Sequence, residues 1–407
     1  MALTAIAAAL ALASAGQASD DNRDISEAEA REVHGRVLTL DTHVDIGRGY
    51  ATPELDPGGL TNAQVDLPKM RIGGLDAAFF IVYVGQGDLD DAGYERAREQ
   101  AEDKYQAIMR MVRGYPERIG LAVTADEVEA LHEEGRLVAL IGMENAYPLG
   151  ESIDDIPMWA ERGVRYVGIT HFRNNQFGGS SNPDLSSGDP MEDPGLTDLG
   201  RELVASLNDH GIMIDISHVG PRTSMEALEM SRAPVIASHS GVDGVYEHPR
   251  NLSDEQLDAI RDNGGVVQIV AFRGYVAEVD PRIGRDQNAL RERLGMDTAE
   301  GRAEASPEAW AEYAEEIADI RARYPDVTLA QFVDHIDYAV ERIGVDHVGI
   351  VSDFDGGGGV EGWDDASETL NVTWELMRRG YSEEDIGKIW SGNLLRVMRA
   401  VEEAAAR

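Results

Sequence analysis

Short runs of apolar and β-branched residues alternate along the chain with longer segments in which apolar residues recur every three or four positions. The short runs predict buried strands, and the longer segments predict amphipathic helices, for example over residues 94–115 and 222–231. Thr124 and Ser253 mark the starts of two more helices, because a hydroxyl can accept the free amides of a first helical turn. The eight predicted strands lie within residues 37–46, 75–84, 137–146, 164–172, 211–219, 234–240, 265–272 and 347–356.

A strand followed by a helix, repeated eight times, is typical of an α/β protein with a closed parallel barrel. We therefore expect a (β/α)8 TIM barrel that forms one domain over residues 25–407. Between strands 7 and 8, a segment at about 274–333 is rich in Glu, Ala and Arg and far exceeds an ordinary connection. It predicts a helical insertion beside the barrel mouth. The insertion could limit substrate size or contact a second subunit, and a solvated insertion without either role is an equal alternative.

The N-terminus carries the only long apolar run, over residues 2–15, followed by small residues that suit a signal peptidase. We interpret residues 1–18 as a signal peptide, which predicts a periplasmic or secreted protein. A short Ala-rich helix in a cytoplasmic protein is the alternative, because no Lys or Arg precedes the run. No later segment approaches the roughly 20 apolar residues needed to cross a bilayer.

Charge and cysteine content narrow the possible partners. With 36 Lys and Arg against 75 Asp and Glu, the formal net charge is −39, which argues against binding to nucleic acid or to anionic lipid. The chain has no cysteine, so disulfides, thiolate metal sites and cysteine nucleophiles are excluded. A noncovalent homodimer stays open. Any bound metal must be held by His, Asp and Glu.

Ionisable side chains concentrate at the carboxyl ends of six of the eight predicted strands. The active site of a TIM barrel lies at this end, and such groups are costly to bury without a partner or a metal ion. The pattern therefore predicts one common site at the barrel mouth. The segments concerned are 41–45, 143–145, 170–171, 215–218, 238–240 and 352–355.

Five of these side chains are candidate metal ligands. His43 and Asp45 lie two positions apart on one strand, so both point to the same side. Glu144 has two oxygens that could bridge two ions, and His218 and His239 could hold the second ion. Each residue alone could equally be a hydrogen-bonded side chain with no metal. Together, three histidines and two carboxylates suit two zinc ions better than magnesium, which favours oxygen ligands.

Eight motifs follow one another in a fixed order. They are Asp41-Thr42-His43-Val44-Asp45, Gly142-Met143-Glu144-Asn145, Thr170-His171-Phe172-Arg173-Asn174, Asp215-Ile216-Ser217-His218-Val219, Pro234-Val235-Ile236-Ala237-Ser238-His239-Ser240, His248-Pro249-Arg250-Asn251, Asp353-Phe354-Asp355-Gly356 and Gly392-Asn393-Leu394-Leu395-Arg396-Val397. As an ordered set they resemble the membrane dipeptidase (renal dipeptidase) family, peptidase family M19, a branch of the metal-dependent amidohydrolase superfamily. The resemblance spans nearly the whole chain after the apolar run and implies an amidohydrolase-like barrel.

The resemblance implies two zinc ions per chain. One would be bound by His43, Asp45 and Glu144, and the other by Glu144, His218 and His239, so that Glu144 is the bridge. A water between the ions would have its pKa lowered enough to supply hydroxide near neutral pH, and one ion could polarise the scissile carbonyl.

The resemblance also implies the residues that act on the substrate. Asp353 would move a proton to the leaving amine, and His171 would contact the substrate carbonyl and stabilise the oxyanion. Arg250 would bind the substrate carboxylate through its planar guanidinium, with Tyr275 beside it in the pocket. A surface salt bridge is the alternative for Arg250, and ordinary packing is the alternative for Tyr275.

The preferred hypothesis is a zinc-dependent dipeptidase that cleaves small dipeptides with a free α-carboxylate, including those with a C-terminal D-residue. A second hypothesis is cleavage of another amide, such as an N-acyl amino acid or a lactam, because loops choose the substrate while the metal chemistry is shared. A noncatalytic periplasmic peptide-binding protein is less favoured, since such a protein would be expected to lack Asp353, His171 or a metal ligand. Amidohydrolases with a carboxylated lysine are disfavoured because none of the three lysines, Lys69, Lys104 and Lys388, lies at a predicted strand end.

Overall fold

A single sheet of nine parallel strands forms the centre of the protein in a computed structural model that describes residues 24–47, 49–298, 301 and 305–406. The predicted signal peptide, residues 1–18, lies outside the described residues. Eight strands follow one another in the order β1-β2-β4-β5-β6-β7-β8-β9, and β3 pairs with β4 beside this path. The strands are β1 Leu40–Val44, β2 Ala77–Tyr83, β3 Ile119–Leu121, β4 Leu137–Glu144, β5 Val164–Gly168, β6 Met213–Asp215, β7 Ile236–Ser240, β8 Val266–Val270 and β9 Val348–Val351.

The first and last strands of the path meet and complete the barrel. Val44, at the end of β1, forms a parallel bridge with Phe354 just beyond β9, and the amide of Asp45 donates to the Phe354 carbonyl at 2.9 Å. The buried Asp41 carboxylate on β1 also accepts the Ser352 amide at 3.2 Å. These contacts confirm the expected (β/α)8 barrel.

Apolar side chains of the strands alternate between two packing layers, as the period of a strand requires. On β2, Phe79 and Ile81 belong to the inner cluster, whereas Phe80 and Val82 pack outward against the surrounding helices. Both faces of a parallel barrel are covered, so its strands are apolar on both sides. This explains why the strands could be recognised as continuous apolar runs.

β3 is a strand that the sequence pattern did not predict. Its three residues pair with Leu137–Ala139, the first half of β4, whereas β5 pairs with the second half of β4 from Ile141 onward. Three residues are too few to display a period.

The helices surround the barrel, and two of them begin at the residues that the sequence predicts, whereas the helix predicted over 94–115 begins three residues earlier, at Asp91. The Thr124 hydroxyl accepts the Glu127 amide and the Ser253 hydroxyl accepts the Gln256 amide. Among the described helices, none combines the length and the apolar character that a bilayer span requires. The α-helices are α1 Glu27–His34, α2 Leu67–Gly73, α3 Asp91–Gly114, α4 Ala125–Glu133, α5 Ile156–Glu161, α6 Asp198–Asp209, α7 Pro221–Met230, α8 Asp254–Asn263, α9 Arg273–Val276, α10 Pro281–Arg293, α11 Pro307–Arg321, α12 Leu329–Ile343, α13 Leu370–Arg378, α14 Glu383–Gly387 and α15 Asn393–Ala405. Shorter helical turns lie at Tyr147–Leu149, Leu185–Ser187, Val345–His347, Ala366–Glu368 and Lys388–Gly392.

The described parts of the long segment between β8 and β9 carry the helices α9 to α12, in agreement with the predicted helical insertion. Helices α10 and α11 pack against each other through a small apolar cluster of their own, whereas α12 packs its apolar face on the main core. α12, which begins at Leu329, is therefore a helix of the outer barrel layer. Residues 329–333, the last of the predicted 274–333 segment, belong to this helix and not to the insertion. The cluster between α10 and α11 consists of Ile283, Leu290, Ile317 and Ile320.

Arg273, at the start of α9, ties this segment to the loop that follows β9. Its Nε donates to both Asp326 oxygens at 2.8 and 2.9 Å, its Nη2 donates to Asp364 Oδ1 at 2.5 Å, and its Nη1 donates to the Gly359 carbonyl. The side chains of Arg273 and Asp326 are only 7% and 10% exposed, so this ion pair is largely desolvated. One buried guanidinium therefore holds together three segments near the barrel mouth.

We expect Arg273→Met to lower the free energy of unfolding by about 3–5 kcal/mol, because the Asp326 carboxylate would remain buried without its cation. Urea-induced unfolding followed by circular dichroism measures this change. Arg282→Met is the matched control, since the Arg282 side chain is 52% exposed where it pairs with Asp280, and its loss should change stability much less. Equal effects of the two substitutions would contradict the role given to Arg273.

Candidate metal centre

The carboxyl ends of the barrel strands bring the predicted ligands and the two predicted catalytic side chains into one group. Each lies within its strand or no more than three residues beyond it. Six of the seven are buried, and the side chain of His171 is 12% exposed at the mouth. The group comprises His43, Asp45, Glu144, His171, His218, His239 and Asp353.

One half of the group surrounds Nε2 of His43. This nitrogen lies 3.6 Å from Asp45 Oδ2, 3.5 Å from Glu144 Oε2 and 4.0 Å from Asp353 Oδ1. Within the described chain, neither His43 Nε2 nor Asp45 Oδ1 has a hydrogen-bond partner, although both are buried. Metal–ligand bonds of about 2.0–2.2 Å in a tetrahedron separate ligand atoms by roughly 3.3–3.6 Å, so most of these spacings suit a zinc-sized ion.

The other half surrounds the second oxygen of Glu144. Oε1 lies 3.1 Å from His218 Nε2, 3.3 Å from His239 Nε2 and 3.7 Å from His171 Nε2. The Nε2 atoms of His218 and His239 are themselves 2.8 Å apart. The two oxygens of one carboxylate thus face two separate sets of donors, which is the arrangement that a bridging ligand needs.

Hydrogen bonds on the far side of two imidazoles determine which nitrogen carries the proton. The Tyr166 hydroxyl donates its single proton to the Thr42 carbonyl at 3.1 Å. Its oxygen, 2.9 Å from Nδ1 of His43, therefore accepts the Nδ1–H of that ring. The Ser238 hydroxyl donates to Asp215 at 2.7 Å and in the same way accepts Nδ1–H of His239 at 2.8 Å.

In the neutral form of both rings, the Nε2 lone pair therefore points at carboxylate oxygen. Two electron-rich atoms that face each other in a buried site repel unless a cation lies between them. The donor set thus fits divalent metal, with the outer hydrogen bonds that metal-ligating histidines usually make.

The electrostatics of the site lead to the same conclusion. Burial lowers the pKa of His43, but the carboxylates of Glu144 and Asp45 outweigh it and raise that pKa well above its ordinary value. Burial raises the pKa of Glu144, but His171 and His43 outweigh this effect and hold the pKa well below its ordinary range. Burial also raises the pKa of Asp353 well above the usual value. The His43 half of the site therefore favours positive charge, whereas burial lowers the pKa of His218 and of His239 well below the ordinary value.

Two residues of the site have left-handed backbone conformations, with φ of 66° at His218 and 59° at Asp353. Such a conformation costs a non-glycine residue on the order of 1–3 kcal/mol and persists only where the surroundings hold it. The His218 carbonyl accepts the Ser181 amide at 2.8 Å and the Thr170 hydroxyl at 3.2 Å. The loop after β5 thus helps to hold His218 in place.

Arg250 lies beside the group, in the loop between β7 and α8. It is buried, its Nη2 donates to the His239 carbonyl at 2.9 Å, and its Nε has no partner. No carboxylate of the described residues lies within 4 Å of it, which excludes the surface salt bridge considered from the sequence. Its guanidinium carbon is 5.1 Å from the centre of the Tyr275 ring, which in turn stacks on Phe272 at 4.2 Å.

Sequence reasoning assigned no role to three residues that shape the site, although two of them lie within the motifs quoted above. Tyr166 is one of them. Its ring fits because Gly142 has no side chain, and a Cβ at that position would lie 2.3 Å from the ring. Gly356 is another, since a Cβ there would lie 2.3 Å from Asp45 Oδ2 and 2.4 Å from Asp353 Oδ1. Phe172, the third, leaves much of its ring exposed at the mouth while its edge contacts His171. The glycines were the available signals, because a glycine in or after a strand often marks a close approach.

Comparison with known proteins places this geometry in context. Residues 27–407 match the membrane dipeptidase family, peptidase family M19. The dipeptidase ataJ of Aspergillus terreus is 31% identical over 415 residues, which cover 96% of this chain and 90% of that protein. The dipeptidase verJ of Clonostachys rogersoniana is 31% identical over 402 residues, which cover 95% and 89%. The crystal structure of the probable dipeptidase PvdM from Pseudomonas aeruginosa has a TM-score of 0.80 and 35% identity, and the match covers 93% of this chain and 99% of that one.

We expect Glu144→Gln to weaken metal binding by more than about 100-fold. The glutamine amide has one oxygen where two are needed, and its NH₂ group would point N–H bonds at one of the metal positions. Loss of an outer partner alone typically costs 10–100-fold. Elemental analysis after dialysis against dilute zinc measures the bound metal.

Asp355→Asn is the matched control for Glu144→Gln. The Asp355 carboxylate accepts the amides of Gln64 and Val65 and makes no hydrogen bond to a site histidine. Metal retention by both variants would show that Glu144 is not a ligand.

Proposed function

Because this chain belongs to the membrane dipeptidase family, peptidase family M19, we propose that it hydrolyses the peptide bond of small dipeptides at a centre of two zinc ions. The observation that carries the proposal is the convergence of two imidazole lone pairs, from His43 and His239, on the two oxygens of Glu144. Dipeptides with an L- or a D-residue at the C-terminal position are both included.

His43, Asp45 and Glu144 would hold one ion, and Glu144, His218 and His239 would hold the other. Three imidazoles with two carboxylates favour zinc, although manganese or cobalt can occupy such a donor set. When bound, the ions supply a water of lowered pKa and polarise the scissile carbonyl.

Asp353 is the group we assign to proton transfer. Its Oδ1 lies 4.0 Å from His43 Nε2, and the side chain is buried at the edge of the first half of the site. From there a carboxylate can accept a proton from the attacking water. It can then give that proton to the leaving amine nitrogen, which must be protonated before it departs.

His171 is assigned to the substrate carbonyl. Its ring lies between Tyr83 and Phe172, with centroid distances of 4.9 and 4.5 Å, and its Nε2 faces the site. Burial lowers the pKa of His171, which favours the neutral ring, and Nε2 would donate to the substrate carbonyl in the tautomer that carries the proton there. Packing on both sides holds this donor where negative charge develops on the carbonyl oxygen.

Arg250 is assigned to the free α-carboxylate of the substrate. A buried guanidinium with an unpaired Nε–H needs an anion, and a carboxylate matches its planar geometry. Tyr275 packs against the guanidinium and limits the directions in which it can turn. A carboxylate bound there would select the bond one residue from the C-terminus, which in a dipeptide is its single peptide bond.

The test of the function is elemental analysis of the purified protein paired with hydrolysis of L,L and L,D dipeptides before and after chelation. Two zinc ions per chain and cleavage that chelation abolishes and zinc restores would support the proposal. Two ions without cleavage of any dipeptide would point to another amide substrate, such as an N-acyl amino acid. No bound metal after reconstitution with zinc would overturn the proposal.

We predict that Asp353→Asn retains both ions and lowers kcat by about 10²–10⁴-fold, the usual contribution of one proton-transfer group. Steady-state kinetics together with zinc analysis on the same sample separates this result from metal loss. Asp355→Asn, whose carboxylate contacts the loop amides, should change kcat little. A fully active Asp353→Asn enzyme would remove Asp353 from the proton path.

A further inference from the structure

The ammonium group of Lys104 lies beside the metal centre, yet the chemistry proposed above does not use it. Lys104 is on α3, and its Nζ donates a hydrogen bond to the carbonyl of Ile46. Ile46 is buried and directly follows the predicted ligand Asp45. The lysine thus contacts the loop that follows β1 and bears the predicted ligand Asp45.

Lys104 differs from the other two lysines of the chain in what surrounds its charge. Lys69 lies 3.2 Å from Asp365, and Lys388 lies 3.0 Å from Asp346. Over the ranges that the structure describes, no carboxylate lies within 4 Å of Lys104 Nζ. Burial lowers the pKa of Lys104, while the more distant carboxylates of the site oppose this shift. An unpaired ammonium in such surroundings is costly, so its hydrogen bond to the loop needs an explanation.

That hydrogen bond completes a pair of backbone anchors around Asp45. On one side, the amide of Asp45 donates to the Phe354 carbonyl at 2.9 Å. On the other side, the carbonyl of the next residue, Ile46, accepts from Lys104. The Asp45 carboxylate has no hydrogen-bond partner at Oδ1. Its direction therefore depends on how firmly the backbone on both sides is held.

We propose that Lys104 is a positioning residue for the ion that His43 and Asp45 would hold, and that it acts through the Ile46 carbonyl. The inference rests on the proposed metal centre. The ion that His218 and His239 would hold should not depend on this loop, because His239 lies on β7 and His218 follows β6 and is held by the loop after β5. Loss of Lys104 should therefore weaken one of the two zinc ions selectively.

The test is competitive zinc titration of the whole chain against a chromophoric chelator. In Lys104→Met we expect one zinc ion to bind about 10–100-fold more weakly than in the wild type, as for other outer partners of a metal ligand, with the second ion unchanged. Lys104→Arg, which keeps donors and charge, should recover most of the lost affinity. Zinc-edge anomalous diffraction should show the lowered occupancy beside His43.

Lys69→Met is the matched control. Lys69 is also partly buried and also donates to a loop carbonyl, that of Ala63, at 2.5 Å. Its substitution should leave both zinc affinities as in the wild type. If Lys104→Met fails to fold, Lys104→Gln, which keeps a shorter donor, carries the same comparison.

Unchanged zinc affinities in the Lys104 variants would overturn the inference, and so would an equal loss of both ions, since that would show a general structural role. A wild-type protein that binds two zinc ions but cleaves no dipeptide would overturn the proposed function and leave the selective effect of Lys104 measurable. A wild-type protein that binds no zinc would overturn both.

Discussion

The structure depends on a concentration of electron-rich atoms that is unfavourable unless a cation is present. Glu144 presents one oxygen to His43 and the other to His218 and His239, all within 3.1–3.5 Å. The hydroxyl oxygens of Tyr166 and Ser238 accept Nδ1–H of His43 and His239, which places the ring proton of each neutral imidazole on the far nitrogen. In the neutral form of these rings the near nitrogens are therefore left as acceptors, and their burial gives water little access to compensate them. A folded chain that maintains this arrangement stores repulsion that divalent metal relieves.

The barrel provides the positions for this cluster because the strand ends of a closed parallel sheet converge on one opening. Closure itself involves the site, since the bridge between Val44 and Phe354 also anchors Asp45. Local irregularities then adjust individual side chains. The left-handed conformations of His218 and Asp353 turn these residues away from a regular strand path, and Gly356 leaves room for two carboxylates to approach.

The rim of the barrel is held by charges of a different kind. Arg273 is buried with Asp326 and reaches the Gly359 carbonyl, so the inserted helices and the loop after β9 behave as one support. Arg250 is equally buried but has no carboxylate beside it. The protein satisfies the first arginine, whereas the second has no carboxylate beside it among the described residues, which is why we assign it to the substrate carboxylate. This contrast distinguishes a structural guanidinium from one that is available for binding.

The sequence by itself determined the barrel and the side chains at its mouth. Continuous apolar runs reveal buried parallel strands, and polar residues at their carboxyl ends must meet once the barrel closes, as His43, Glu144 and His239 do. Family resemblance supplied the roles expected for these residues. The three-residue strand β3 escaped detection because it is shorter than any measurable period.

Only the tertiary structure decided the partners. The pairing of Tyr166 with His43, of Lys104 with Ile46 and of Arg273 with Asp326 joins residues 123, 58 and 53 positions apart. A pattern along the chain reports which face of an element is buried, because burial follows the local period. It does not report which distant side chain lies opposite, since that depends on how all the elements pack together.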